Sequence, residues 1–149
     1  MILPGGFGNY QPAARVIVRY SRKLSKKNIL FPVLGICLGA QILMKIETNE
    51  PIIKPTDAHN VPLPLKFVTR PREEWKESQL FRNAPLSLIQ VLKTKQLTYN
   101  AHLNGVLLSD FTRRESLKKR FRVITTNEDI EGKTFISTFE GQSLQVSTR

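Results

Sequence analysis

The chain has 149 residues, 40% of them hydrophobic, with 23 Lys and Arg against 12 Asp and Glu, a formal net charge of +11, one cysteine and two histidines. That length suits a single domain spanning 1–149 with one core, and the apolar fraction excludes a disordered chain. A lone cysteine excludes an internal disulfide framework, and no apolar stretch approaches the roughly 20 residues of a membrane span.

In chain order, the opening Met1-Ile2-Leu3-Pro4-Gly5-Gly6 has neither the basic nor the apolar region of a secretory signal. A glycine-rich loop, Pro4-Gly5-Gly6-Phe7-Gly8, leads into a predicted helix over 11–27, with Pro12 near its start. Ala13, Val16, Ile17, Tyr20 and Leu24 are expected on its apolar face. Its basic cluster, Arg15, Arg19, Arg22, Lys23, Lys26 and Lys27, is read as a solvated surface. The apolar run Ile29–Ile36 reads as a strand buried on both faces and starting after Pro32, and a helix follows to about Lys45.

Further on, 50–56 suggests a short strand with turns, and Val61–Phe67 an edge strand that tolerates Pro62 and Pro64. His59 is expected in a loop, and Thr69–Ser78 as a loop or short helix around Trp75. Ser87–Leu92 and Gly105–Phe111 are predicted strands. Thr112-Arg113-Arg114-Glu115 reads as a capping box opening a helix through about Phe121. A second basic cluster, Arg113, Arg114, Lys118, Lys119, Arg120 and Arg122, lies there. Val123–Asn127 and Lys133–Phe139 then form a predicted hairpin.

The residues that carry chemistry are Gly35-Ile36-Cys37-Leu38-Gly39. A cysteine flanked by glycines between a strand and a helix is a nucleophile elbow: the turn lifts the reacting atom out, and the helix points its positive end at the sulfur. The Leu38 N–H would then face the oxygen of a carbonyl under attack. A lone cysteine can also be a small buried apolar residue; the strand-turn-helix context favours the nucleophile.

Pro32-Val33-Leu34-Gly35-Ile36-Cys37-Leu38-Gly39-Ala40-Gln41 resembles the elbow of the class I glutamine amidotransferase superfamily, and within it the γ-glutamyl hydrolases. Leu3-Pro4-Gly5-Gly6, Leu80-Phe81-Arg82-Asn83-Ala84-Pro85, Thr98-Tyr99-Asn100-Ala101-His102 and the two late strands resemble other segments of that family, so the likeness covers about nine-tenths of the chain in order. The resemblance implies an α/β fold, a flavodoxin-like three-layer sandwich with a mostly parallel sheet, incomplete here. It implies hydrolysis of γ-glutamyl bonds in folylpolyglutamates through a thioester on Cys37. Leu38 and Gly6 would supply oxyanion N–H groups, and Gly5 and His102 would lie on the substrate side. No metal or other cofactor is expected. The expected partner is folylpoly-γ-glutamate or another γ-glutamyl substrate; a homodimer is an allowed assembly, and nucleic acid is not the expected partner.

The family pairs its cysteine with a histidine and a carboxylate in a Trp-His-Pro-Glu-like segment, whereas here no histidine follows His102 and the chain reads Gln142 to Arg149. The front also opens almost on Pro-Gly-Gly. The expectation is therefore a domain lacking the family's first strands and its His-x-Glu segment, with weak or no activity by itself. The family's lysosomal, vacuolar or secreted address would be inherited by analogy alone. Two alternatives stand beside this: a catalytically dead paralogue or isoform that binds an anionic partner, and a glutaminase within an amidotransferase, for which Gln41 fits.

Overall fold

The computed structural model describes residues 1–48, 50–69 and 73–142. They fall into two compact units, Met1–Ile52 and Ile53–Arg149.

The first unit is a strand-helix-strand-helix unit. Strand β1 (Ile2–Leu3) pairs in parallel with β2 (Leu34–Gly35), in the register Ile2 to Leu34 and Leu3 to Gly35. Parallel neighbours need a crossover connection, supplied by α1 (Gln11–Ser25). Helix α2 (Leu38–Thr48) follows β2 after a turn of two residues. Leu3, Ala14, Val18, Ile42 and Ile46 form the core of this unit, joining β1 to one stripe of each helix. The ends of the two helices are tied where Arg22 pairs with Glu47 and Arg15 Nη1 donates to the Ile46 carbonyl at 3.5 Å.

Two expectations fail here. The inward face of α1 buries Ala14 and Val18, with Ile17 and Leu24 half-buried, while Ala13, Val16 and Tyr20 of the expected face are exposed. Ala14 is fully buried in the core shared with Leu3, Val18, Ile42 and Ile46. Strand β2 does begin after Pro32, but Leu34 and Ile36 are exposed rather than buried on both faces.

The second unit is built on antiparallel pairing. Strand β3 (Ile53–Leu63) pairs with β5 (Thr98–Val106), with register shifts at Pro55/Ala58 and His59/Val61. A second sheet has β6 (Phe121–Glu128) between β4 (Lys66–Phe67) and β7 (Thr134–Gly141). A 3-10 turn at Glu74–Glu77 and three helices, α3 (Leu86–Thr94), α4 (Leu108–Thr112) and α5 (Glu115–Arg120), connect them. Leu65, Phe67, Trp75, Phe81, Ile89 and Ile124 form the core. The Phe67 ring meets those of Phe81 and Trp75 edge-on, at centroid distances of 5.2 and 6.2 Å.

The described residues are thus α/β, but only β1 and β2 are parallel, which corrects the expectation of a mostly parallel sheet. The segments expected as two short strands at 50–56 and 61–67 merge instead into the long β3, followed by β4. Pro55 and Pro62 fit in β3 because it is paired on one side only among the described residues. His59 lies in that strand opposite Ala101, not in a loop. Ser87–Leu92 is helical within α3: Leu, Gln and Lys are good helix formers, and one turn buries Ile89. Gly105–Phe111 divides between the end of β5 and α4. The capping box does not form; Thr112 Oγ1 donates back to the Ser109 carbonyl at 3.0 Å, closing α4, and α5 starts at Glu115 with no side-chain cap. The late hairpin is present, its turn held by Asp129, whose carboxylate accepts from the N–H groups of Asp57, Glu131 and Lys133 at 3.0, 3.0 and 2.8 Å. Residues 143–149, where the departure from the family's His-x-Glu segment falls, lie outside the described residues.

Candidate active site

The turn between β2 and α2 is built by short backbone contacts. Leu34 N donates to Met1 O and Ile36 N to Leu3 O, both at 2.9 Å, which fastens β2 to β1 up to the residue before Cys37. Gln41 N then donates to Cys37 O at 3.1 Å, so Cys37 occupies the position before the first turn of α2. A strand that becomes a helix within two residues must bend sharply there. The bend falls on Cys37 itself, which adopts φ +50°, a left-handed conformation uncommon for a residue with a Cβ. Such strain persists only where the surrounding structure enforces it, and it concentrates at functional sites.

Three glycines enforce it. A Cβ on Gly39 would lie 2.1 Å from the Leu3 carbonyl oxygen, and one on Gly35 would lie 2.7 Å from Ala40 N. A Cβ on Gly5 would lie 3.0 Å from Cys37 Cβ and 3.7 Å from Cys37 Sγ. The loop after β1 therefore leans directly on the cysteine. Cys37 is exposed.

Gly6 follows with φ +110°, and nothing lies within 4 Å of where its side chain would start, so the backbone is open on that side. The N–H groups of Gly6 and Leu38 donate to no backbone acceptor among the described residues. Gly5, Gly6, Cys37 and Leu38 all belong to the first unit.

His102 belongs to the second unit, in β5 opposite Ala58. Its Nδ1 lies 3.3 Å from Thr56 Oγ1, and its ring meets Phe135 edge-on at 5.0 Å. Burial lowers its pKa from the ordinary histidine value, favouring the neutral ring. His102 is thus a mid-strand residue with a hydroxyl partner.

Tyr10 is a neighbour of the site that the sequence did not single out. Its hydroxyl donates to the Pro4 carbonyl. Desolvation raises its pKa, and the charge of Cys37 adds to the rise. An aromatic residue four positions after a Gly-Gly pair, at the start of a helix, is the only signal the sequence offers.

The basic residues divide. Arg122 reaches Glu140 and Glu77, each at 3.3 Å, Arg114 reaches Asp110 at 3.4 Å, and Lys118 pairs with Glu115. On α1, Arg19 and Lys23 are exposed.

The family profile for class-I glutamine amidotransferases matches residues 1–134. The chain is 35% identical over 147 residues to the γ-glutamyl hydrolase of Rattus norvegicus, covering 95% of this chain and 44% of the relative. It is 34% identical over 152 residues to that of Homo sapiens, covering 98% and 46%. With γ-glutamyl hydrolase 2 of Arabidopsis thaliana the identity is 28% over 151 residues, covering 99% and 43%. The chain therefore spans less than half the length of the curated relatives it matches.

Proposed function

The chain belongs to the class-I glutamine amidotransferase family, and on that premise we propose that it carries the nucleophile-bearing part of a γ-glutamyl hydrolase acting on folylpoly-γ-glutamates. Cys37 Sγ attacks the γ-carbonyl carbon, and the N–H groups of Leu38 and Gly6 hold the oxyanion. The C–N bond breaks, the leaving amine takes up a proton, and a thioester remains on Cys37. Water then attacks the thioester carbonyl, releasing the γ-carboxylate and restoring the thiol. Gly5 lies on the substrate side in this reading, and the parallel β1-α1-β2-α2 unit is the flavodoxin-like part of the fold.

The observation that carries the proposal is the positive φ of Cys37 on a strand-to-helix turn, against a Pro-Gly-Gly loop, in a chain whose relatives are named γ-glutamyl hydrolases. Proton transfer to the amine needs an acid, and the two histidines within these 149 residues are His59 and His102. By themselves these residues are expected to turn over slowly or not at all, because losing one triad member costs about three or more orders of magnitude. The test is a pteroyl-polyglutamate hydrolysis assay on folded protein with Cys37→Ala as control. Cysteine-dependent glutamate release supports the proposal. If a longer chain that includes a Trp-His-Pro-Glu-like segment also releases no glutamate, the proposal fails.

The exposed basic residues of α1 favour a second reading, a binding module for an anionic partner. Heparin or RNA retention that persists in Cys37→Ala, without any hydrolysis, would select it.

A further inference from the structure

The Pro4-Gly5-Gly6 loop has an anchor on each side. On one side Gly5 packs on Cys37, with its would-be Cβ 3.0 Å from Cys37 Cβ. On the other, the Tyr10 hydroxyl donates to the Pro4 carbonyl. Tyr10 is itself fixed: it directly precedes α1, its carbonyl accepts from Ala14 N at 3.0 Å, and its half-buried ring packs against the Leu3, Ala14, Val18, Ile42 and Ile46 core. Between the anchors, a Cβ on Gly6 would meet nothing within 4 Å, so the chain is open on that side. A glycine at φ +110° has wide conformational freedom, so the direction of its N–H depends on what restrains its neighbours.

We propose that Tyr10 is a positioning residue: its hydrogen bond to Pro4 holds the Pro4-Gly5-Gly6 backbone against Cys37, so that the Gly6 N–H faces the carbonyl under attack. The inference rests on the thioester reading above. Burial shifts the Tyr10 phenol further above its ordinary value, so the hydroxyl remains a donor at neutral pH. Tyr10 touches no reacting atom; it acts through the peptide it holds.

The test separates this role from general stability and from the chemistry of the leaving group. N-Benzoylglutamate γ-p-nitrophenyl ester acylates a cysteine with formation of the S–C bond and loss of the C–O bond. The p-nitrophenolate leaves without needing a proton, and the thiol proton goes to buffer. Iodoacetamide alkylates the same sulfur by displacement of iodide, with no oxyanion. Single-turnover acylation and alkylation are measured on wild type and Tyr10→Phe, with circular dichroism as the folding check.

The expected result is a loss of about ten- to hundredfold in the acylation rate constant of Tyr10→Phe, as for a displaced oxyanion donor. The half-saturation concentration of the ester and the iodoacetamide rate should stay within about twofold of wild type. Equal acylation rates in the two proteins would overturn the role of Tyr10 and leave the thioester reading standing. An equal fall in acylation and alkylation would make Tyr10 a merely structural residue, which also overturns it. If wild-type Cys37 acylates no faster than a cysteine in urea-unfolded chain, the thioester reading fails and this inference fails with it. Amide hydrogen exchange gives an independent check: the Gly6 amide should exchange faster in Tyr10→Phe than in wild type, and unchanged exchange would refute the anchor itself.

Discussion

The carbonyl oxygen of Leu3 occupies the place where a side chain on Gly39 would begin: a Cβ there would fall 2.1 Å away. Gly39 lies in the first turn of α2 and Leu3 lies in β1, so the first turn of the helix rests on strand backbone. Gly39→Ala must push that backbone apart. Its expected cost is about 3 kcal/mol, the upper end of overpacking penalties, because main chain cannot rotate away as a flexible side chain can. The urea midpoint measures it, and a midpoint equal to wild type would mean the contact is absent in solution.

Cys37 holds φ +50° with a side chain attached. Cys37→Ala keeps that penalty and Cys37→Gly removes it. The glycine variant should therefore be the more stable of the two by about 1 kcal/mol, contrary to the usual order of Ala over Gly. Neither should form a thioester. Paired denaturation curves decide it; an alanine variant as stable as the glycine one would argue for an ordinary backbone at this turn.

Glu140 in β7 accepts from Ser78 Oγ at 2.5 Å, from Leu80 N at 2.9 Å, from Gln79 N at 3.0 Å and from Arg122 Nη2 at 3.3 Å. Burial would raise its pKa, but these donors outweigh burial and hold the carboxyl below its ordinary 4.5. The folded value is depressed, so the stabilisation is present above about pH 4.5 and is lost as pH falls through the folded value. Glu140→Gln should cost about 2 kcal/mol at pH 7 and show a shallower loss of stability on acidification. Thermal midpoints from pH 7 to 3 test both, and parallel curves for the two proteins would exclude the linkage.

His102 carries the same sign at higher pH. Burial against Phe135 lowers its pKa below 6.5, so its neutral form belongs to the folded state. Stability from this group is full above pH 6.5 and declines as pH falls toward the folded value, because the unfolded chain takes up the proton first. His102→Gln should flatten the midpoint between pH 7 and 5. NMR titration of the imidazole protons reads the same quantity directly, and an apparent pKa at or above 6.5 would contradict it.

Local sequence was enough for the elbow. Gly35, Cys37 and Gly39 bracket the end of an apolar strand and the start of a helix, and that order alone sets a strand-turn-helix. The late hairpin was legible for a similar reason: two runs rich in Thr, Ile, Val and Phe flank a polar turn with a glycine. Ser87–Leu92 was not, because a short apolar run has no periodicity to separate strand from helix. Burial of Ile89 in one cluster with Leu65, Phe67 and Ile124 goes with the helical form of that segment, and all three are more than 20 residues away in sequence.

The sequence by itself determined the family, the strand-to-helix turn with its glycine-flanked cysteine, and the helix that follows it, since these show in the order of residues along the chain. Only the tertiary structure decided that Cys37 rather than a glycine bears the positive φ, that Tyr10 holds Pro4, and that α1 turns Ala14 and Val18 inward. These depend on how β1, the loop after it, α1 and the turn before α2 pack on one another, with Leu3, Ala14, Val18, Ile42 and Ile46 in one core. Such contacts in space are not encoded by any local pattern.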